Sequence, residues 1–146
     1  MSKSRVFVLV GLPGSGKSTY VAGKDGVLSS DEIRKLLVDD PTDQTIHAQT
    51  FATIRRLLTL RLELKRPITY IDATNLTRKE RRQWIKVAQK HGATAEAIFF
   101  DVPLAECQRR NRARHRVVPQ EVIEKMSGRL HAPTVKEGFA QVTRVA

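Results

Sequence analysis

The first apolar run is RVFVLV, residues 5–10, and it ends at Gly11. A short valine-rich run bounded by glycine predicts a buried strand. After it the period of the pattern changes repeatedly. A helix is expected from Lys17 to Ala22. GVLSS, residues 26–30, reads as a short strand that runs into a cap. Ser29 and Glu32 have the spacing of a capping box, so a helix should begin near Ser30. DDPTD, residues 39–43, is a turn. Ile46, Phe51, Ile54, Leu57, Leu58 and Leu62 recur as apolar positions and predict a long helix from about Asp43 to Lys65. PITYIDATN, residues 67–75, is a strand that ends in polar residues. Thr77 and Glu80 repeat the capping-box spacing ahead of a basic helix that reaches about His91 and stops at Gly92. TAEAIFFDV, residues 94–102, is another strand. Pro103 and Pro119 each suit the first position of a helix, the second helix running to about Leu130. The tail GFAQVTRVA alternates in character and reads as a last strand.

Strands alternating with helices imply a parallel sheet covered on both faces. No linker, repeat or low-complexity segment interrupts them. The expectation is one three-layer α/β domain of about five strands over residues 1–146. At 146 residues the chain is long enough for a real core, and 40% hydrophobic with 28% charged residues suits a globular protein. No apolar run approaches the roughly 20 residues that span a bilayer. The basic, then apolar, start would make a weak signal peptide, since it leads straight into a glycine-rich loop. A strand and a cytoplasmic protein are expected. Cys107 is the only cysteine, so no intrachain disulfide can form, and its place in LAECQRR reads as an ordinary helix position.

The formal net charge of +11 favours a polyanionic partner. Basic residues gather in residues 55–66, 78–90 and 109–116. The first two groups also fit solvated helix faces. Aromatic residues make up only 5%, which argues against a base-stacking sheet and leaves phosphates as the main handle on any nucleic acid.

The chemistry starts where the first strand ends. Residues 11–18, GLPGSGKS, fit G-x-x-x-x-G-K-[ST] at every fixed position. Glycines let backbone N–H groups turn inward toward phosphate oxygens, and the following helix adds its dipole. Gly14, Ser15, Gly16, Lys17, Ser18 and Thr19 are therefore expected to bind the nucleotide, with Lys17 on the β- and γ-phosphates and Ser18 on Mg²⁺. This P-loop follows a strand and opens a helix, the context it requires.

Ligands of parallel α/β sheets bind beyond the carboxyl ends of the strands. Asp31 stands there, after the second strand, placed to orient an acceptor hydroxyl and take its proton. Arg34, three residues on, suits a phosphate of the acceptor, or a simple ion pair with Asp31. Asp72, Thr74 and Asn75 end the next strand in the same crevice, Asp72 as a support for Mg²⁺ or as a brace. QRRNRARHRVVP, residues 108–119, is the densest basic segment. Arg110 and Arg114 are spaced to share a helix face, as are Arg112 and Arg116. A helical lid carrying such arginines would follow the charge of a moving phosphoryl group. His47, His91, His115 and His131 lack metal-ligand spacing, so nucleotide-borne Mg²⁺ is the only metal implied.

GLPGSGKST, SSDEIR, DATN, RRNRARHRVVPQEVI and APTVKEGF, in this order, resemble the P-loop polynucleotide 5′-kinases: phage end-healing kinases and the kinase halves of polynucleotide kinase-phosphatases. The resemblance covers nearly the whole chain, from Val6 to about Val142. It implies an adenylate-kinase-like sheet and ATP-dependent transfer to the 5′-OH ends of DNA or RNA. Lys17 and Ser18 would hold ATP·Mg²⁺. Asp31 would be the general base and Arg34 would contact the acceptor phosphate. Asp72 and Asn75 would form the acceptor-side wall, with Arg110 and Arg114 as lid arginines. Relatives often carry phosphatase or ligase domains, for which 146 residues leave no room. Two other readings stay open: a kinase of a small metabolite, sugar-nucleotide or antibiotic on the same fold, and a nucleotide-dependent switch that hydrolyses ATP slowly.

Overall fold

The computed structural model describes residues 3–114 and 118–146. Its strands are β1 (Arg5–Val10), β2 (Val27–Ser29), β3 (Ile68–Asp72), β4 (Thr94–Phe100) and β5 (Gln141–Val145). They form one sheet in the order β2-β3-β1-β4-β5, and all neighbours are parallel. The helices are α1 (Lys17–Val21), α2 (Ser30–Val38), α3 (His47–Glu63), α4 (Arg78–Lys90), α5 (Leu104–Arg112) and α6 (Gln120–Arg129), with a 3-10 turn at Val135–Glu137. Among the described residues no helix is long and apolar enough to cross a membrane.

Alternation along β1 sorts its side chains to two faces. Val6, Val8 and Val10 join Ile54, Leu58 and Leu62 of α3 and Trp84, Ile85 and Ala88 of α4 in the main core. Leu9 joins Val21 of α1, Ile98 and Phe100 on the opposite face. That face is more thinly covered: Phe7 and Tyr70 stack at 5.3 Å and stay half-buried. A third cluster of Leu12, Leu76, Cys107 and Ile123 fastens α5 and α6 to the glycine loop. The chain fills one side of β1 with β3 and β2, then the other with β4 and β5. The switch point lies at β1, and a crevice opens beyond its carboxyl end.

Local chemistry moves some boundaries. The long helix begins at His47, not near Asp43. Asp40 Oδ1 accepts from Thr42 N and Oγ1, and Asp43 Oδ1 accepts from Thr45 N and Oγ1, at 2.6–2.9 Å. These local bonds compete with the helix and hold the segment in turns. The helix also ends early, at Glu63, because Lys65 turns left-handed with φ of 60°. Ser29 and Thr77 cap α2 and α4 by accepting from Glu32 N and Glu80 N. Glu80 reaches back to Leu76 N rather than to the cap residue. Helix α5 stops at Arg112, so Arg110 and Arg114 do not share a helix. Asn111 takes over there: its amide donates to Val118 O at 2.6 Å and accepts from Val118 N at 2.9 Å, closing the loop like a strand pair. Arg116 and His115 lie outside the described residues.

Candidate active site

The glycine loop leaves β1 and enters α1 within six residues, and its shape depends on close approach. Gly14 has φ of 84°, and a Cβ there would stand 2.6 Å from the backbone oxygen of Cys107. Gly16, with φ of 106°, caps α1 without a side-chain bond. Both need the freedom of glycine. Ser15 Oγ is buried and has no partner among the described residues, a hydroxyl left over in the wall of the cradle.

Lys17 is 8% exposed, and its Nζ donates to Gly11 O and Leu12 O at 2.9 Å each. Burial pulls its pKa down to about 8, against the opposing pull of the Asp72 carboxylate, and Arg114 lowers it further. A bound phosphate would favour the charged form and raise that value. Nucleotide affinity is therefore expected to be flat below about pH 8 and to fall by up to about tenfold per unit above it. Lys17→Arg, which stays charged, should remove this slope. Titration with a fluorescent nucleotide from about pH 7 to about pH 9.5 checks both. A wild-type affinity that holds steady to the top of that range would remove Lys17 from phosphate binding.

A cleft of about 1270 Å³ covers the loop. Gly14, Ser15, Gly16, Lys17, Ser18 and Thr19 form its floor. Asp31, Arg34 and Asp72 stand on one wall, Arg110 and Arg114 on another. Asp31 occupies the first turn of α2, and Arg34 Nη1 lies 3.4 Å from its Oδ1. The two differ in depth: the Arg34 side chain is 6% exposed and that of Asp31 46%. Arg34 also lies 3.5 Å from Gln44 Oε1 and sits over the Phe51 ring. Asp72 ends β3. Burial raises its pKa, Lys17 opposes that shift, and the Asp31 charge adds to it. Arg110 lies across the loop, with Nη1 3.4 Å from Ser15 O, while its Nε is held by Glu106 at 2.9 Å. The pair of Arg109 and Arg110 keeps the Glu106 carboxyl at about 2.

Asn75 is not in the cleft. It is 2% exposed, with φ of 48°. Its Nδ2 donates to Leu9 O at 2.7 Å and Ala73 O at 3.2 Å, and its Oδ1 accepts from Trp84 Nε1 at 2.8 Å. It braces the end of β1 from behind, and Thr74 lines the cleft instead. Sequence reasoning also missed residues that do line it. His47 and Phe51 meet with tilted rings at 4.5 Å on the cleft wall, and Tyr20 and Phe100 meet edge to face at 5.5 Å near the loop.

A second group works from behind the cleft. Arg81 is fully buried in the first turn of a basic helix. Its Nε and Nη2 grip the two oxygens of Glu137 at 2.8 and 3.1 Å. Its Nη1 donates to the carbonyls of Asn75, Leu76 and His131. Thr134 N completes the carboxylate's partners at 2.8 Å. One guanidinium thus ties the end of β3, the chain after α6 and the 3-10 turn together. The signal was present: Arg81, Trp84, Ile85 and Ala88 follow an i, i+3, i+4, i+7 stripe, and Thr134 and Glu137 have capping-box spacing.

The donor set fits Mg²⁺ carried by a nucleotide. Ser18 and Asp72 offer only oxygens, as a hard cation requires, and the described residues hold no cluster of three or more His, Cys, Asp or Glu that would cage a metal alone.

A family model described as AAA domain matches residues 6–133. Among solved structures, a chain of the Pnkp1/Rnl/Hen1 RNA repair complex is 23% identical, with a TM-score of 0.73, over 89% of this chain and 45% of that one. This chain thus spans less than half of that protein's length. A gluconokinase from Sinorhizobium meliloti is 20% identical, with a TM-score of 0.65, over 99% of this chain and 83% of its own. The Mycobacterium tuberculosis APS kinase CysC, solved with AMPPNP and APS, is 20% identical, with a TM-score of 0.59, over 99% and 90%. At these identities the likeness shows the fold, an α/β P-loop kinase fold with a five-stranded parallel sheet.

Proposed function

The chain belongs to the AAA domain family, and from that premise we propose a phosphotransferase that moves the γ-phosphate of ATP to the 5′-hydroxyl end of a nucleic acid. The observation that carries this reading is the Asp31–Arg34 pair, 3.4 Å apart, on the wall of the cleft that Lys17 floors. A half-exposed carboxylate beside a buried guanidinium suits a hydroxyl that carries a phosphate nearby. The +11 charge supports a polymeric acceptor.

In this mechanism the 5′-oxygen attacks the γ-phosphorus in line and the bond to the β–γ bridging oxygen breaks. The hydroxyl proton passes to the Asp31 carboxylate. Arg34 holds the first acceptor phosphate. Lys17, Arg110 and Arg114 follow the charge of the moving group, and positioning supplies most of the rate. Ser18, with Asp72 behind it, would hold Mg²⁺, which neutralises charge on the phosphate oxygens when bound. Tyr20 and Phe100 would offer an apolar shelf to the donor base.

A second reading has its own support. The gluconokinase and APS kinase structures are covered over 83% and 90% of their lengths, whereas the RNA-repair chain is covered over 45%. Both kinases share the fold along 99% of this chain and are named for small-molecule acceptors, which supports a small hydroxylated acceptor. Incubation with γ-labelled ATP, Mg²⁺ and either a 5′-OH or a 5′-phosphate oligonucleotide separates the two. Label on the 5′-OH strand alone is expected. Label on neither strand, with ATP still bound, would sink the nucleic-acid reading and turn the search to small alcohols.

A further inference from the structure

The cleft leaves one basic feature unused. Arg78, Lys79, Arg82 and Lys86 are all exposed on α4. Several other surface arginines have carboxylate partners: Arg109 and Arg110 with Glu106, Arg129 with Glu80, Arg5 with Glu96. Among the described residues, no carboxylate pairs with any of these four on α4. Arg78, Arg82 and Lys86 recur every fourth residue, about 6 Å apart along one side of the helix. Four unneutralised cations in nine residues repel one another unless an anion runs alongside.

Their position connects them with the acceptor side. Helix α4 follows β3, so it begins at the carboxyl end of the sheet, where the cleft opens. A hollow of about 430 Å³ lies at its start, lined by Thr77, Arg78, Lys79 and His131. Leu76, Glu80 and Arg129 belong to the cleft wall. His131 N donates to Leu76 O at 2.9 Å, and Arg129 reaches Glu80 at 2.8 Å, so the hollow and the cleft share a border. Arg129 on the cleft wall thus stands beside the hollow, and the cations of α4 continue from there.

We propose that Arg78, Lys79, Arg82 and Lys86 form a track for the backbone phosphates of the acceptor strand beyond its first nucleotide. This rests on the reading that the acceptor is a nucleic acid. The track would read no base: low aromatic content and bare cations make it a phosphate contact, insensitive to sequence and sensitive to salt. It would raise the affinity for long acceptors and leave the reacting geometry alone.

The test compares a 5′-OH dinucleotide with a long 5′-OH oligonucleotide as acceptors. The proteins are the wild type, a variant with all four residues changed to Gln, and R78K/R82K. KM for the long acceptor is expected to rise in the Gln variant toward that of the dinucleotide. Its kcat, and KM for the dinucleotide, should stay unchanged. The slope of log affinity against log salt should shrink by roughly 0.7 per cation removed. R78K/R82K, which keeps the charge, should behave as the wild type. A melting temperature equal to wild type confirms that the exposed changes leave the fold intact. Equal KM values for the long acceptor in wild type and Gln variant would overturn the track while the kinase reading stands. If no 5′-OH strand is phosphorylated, the kinase reading fails, and fluorescence anisotropy of the labelled long strand judges the track alone. Weaker binding by the Gln variant supports it. Unchanged binding, or none by the wild type, overturns it.

Discussion

Asp31→Asn should lower the phosphoryl-transfer rate by about 10²–10⁴-fold, the usual worth of a positioned general base, and leave nucleotide affinity unchanged. Asparagine keeps the size of the side chain but cannot take the acceptor's proton. The residues of the phosphate loop, which would hold the donor, are untouched by this change. Arg34 keeps its contact with Gln44 and its place over Phe51. The first turn of α2 retains Glu32, so the loss of one charge near the helix dipole should cost no more than about 0.3–1 kcal/mol of stability. Single-turnover transfer and nucleotide titration, run on the same preparation, separate rate from binding. Transfer within about tenfold of wild type would remove Asp31 as the base, because a proton acceptor is worth at least ten times that. The same assay on Asp72→Asn is informative: a rise in the Mg²⁺ concentration needed for transfer, with the acceptor side intact, would divide the two carboxylates by role.

The largest expected effect on stability lies outside the cleft. Glu137→Ala strips Arg81 of its carboxylate while the guanidinium stays fully buried. Removing one partner of a buried pair costs about 3–5 kcal/mol, because the remaining charge has no water to turn to. That is a large part of the stability of a domain this size. Urea unfolding should show the midpoint drop without a change of slope. Glu137→Gln, which keeps an acceptor for Arg81, should recover part of the loss. Replacing both residues by apolar ones of similar volume should not restore the wild type here, although it often does for simple pairs. Arg81 also serves three carbonyls, of Asn75, Leu76 and His131, and each would lose that bond, although Leu76 O keeps His131 N. A midpoint for Glu137→Ala within about 1 kcal/mol of wild type would mean that Arg81 finds another anion or water, and that the brace matters little.

The periodic parts of this chain were readable because each residue there answers to one local rule. RVFVLV, the glycine loop and the starts of the proline-led helices are such parts, and the structure has them within a residue or two of expectation. The start of α3 was misjudged because Asp40 and Asp43 form bonds with Thr42 and Thr45 that a hydrophobic pattern does not register. Arg81 was hidden for the opposite reason. In RKERR every side chain looks solvated, and only the alignment of Arg81 with Trp84, Ile85 and Ala88 turns it inward. Asn75 shows a third limit. Position after a strand puts a residue near the crevice, but its own φ of 48° aims the amide behind the strand. Thr74, one residue earlier, takes the place on the wall. Arg110 and Arg114 do reach one cleft, although the helix meant to align them ends between them.

The central place of β1 has a consequence for how the chain must be made. The strand that leads into the phosphate loop is made well before its partners, which are residues from Ile68 and from Thr94 onward. At about 5–20 residues per second, synthesis leaves it without a neighbour for several seconds. During that wait VFVLV is an apolar, β-prone segment with no charge inside it, the kind that seeks any open strand edge. Lys3 and Arg5 before it and the glycines behind it serve as gatekeepers at its ends. The same separation makes the sheet a product of distant contacts, which slows folding and lengthens exposure. Yield in cells should therefore depend more on chaperone capacity and growth temperature than the finished, well-buried strand would suggest.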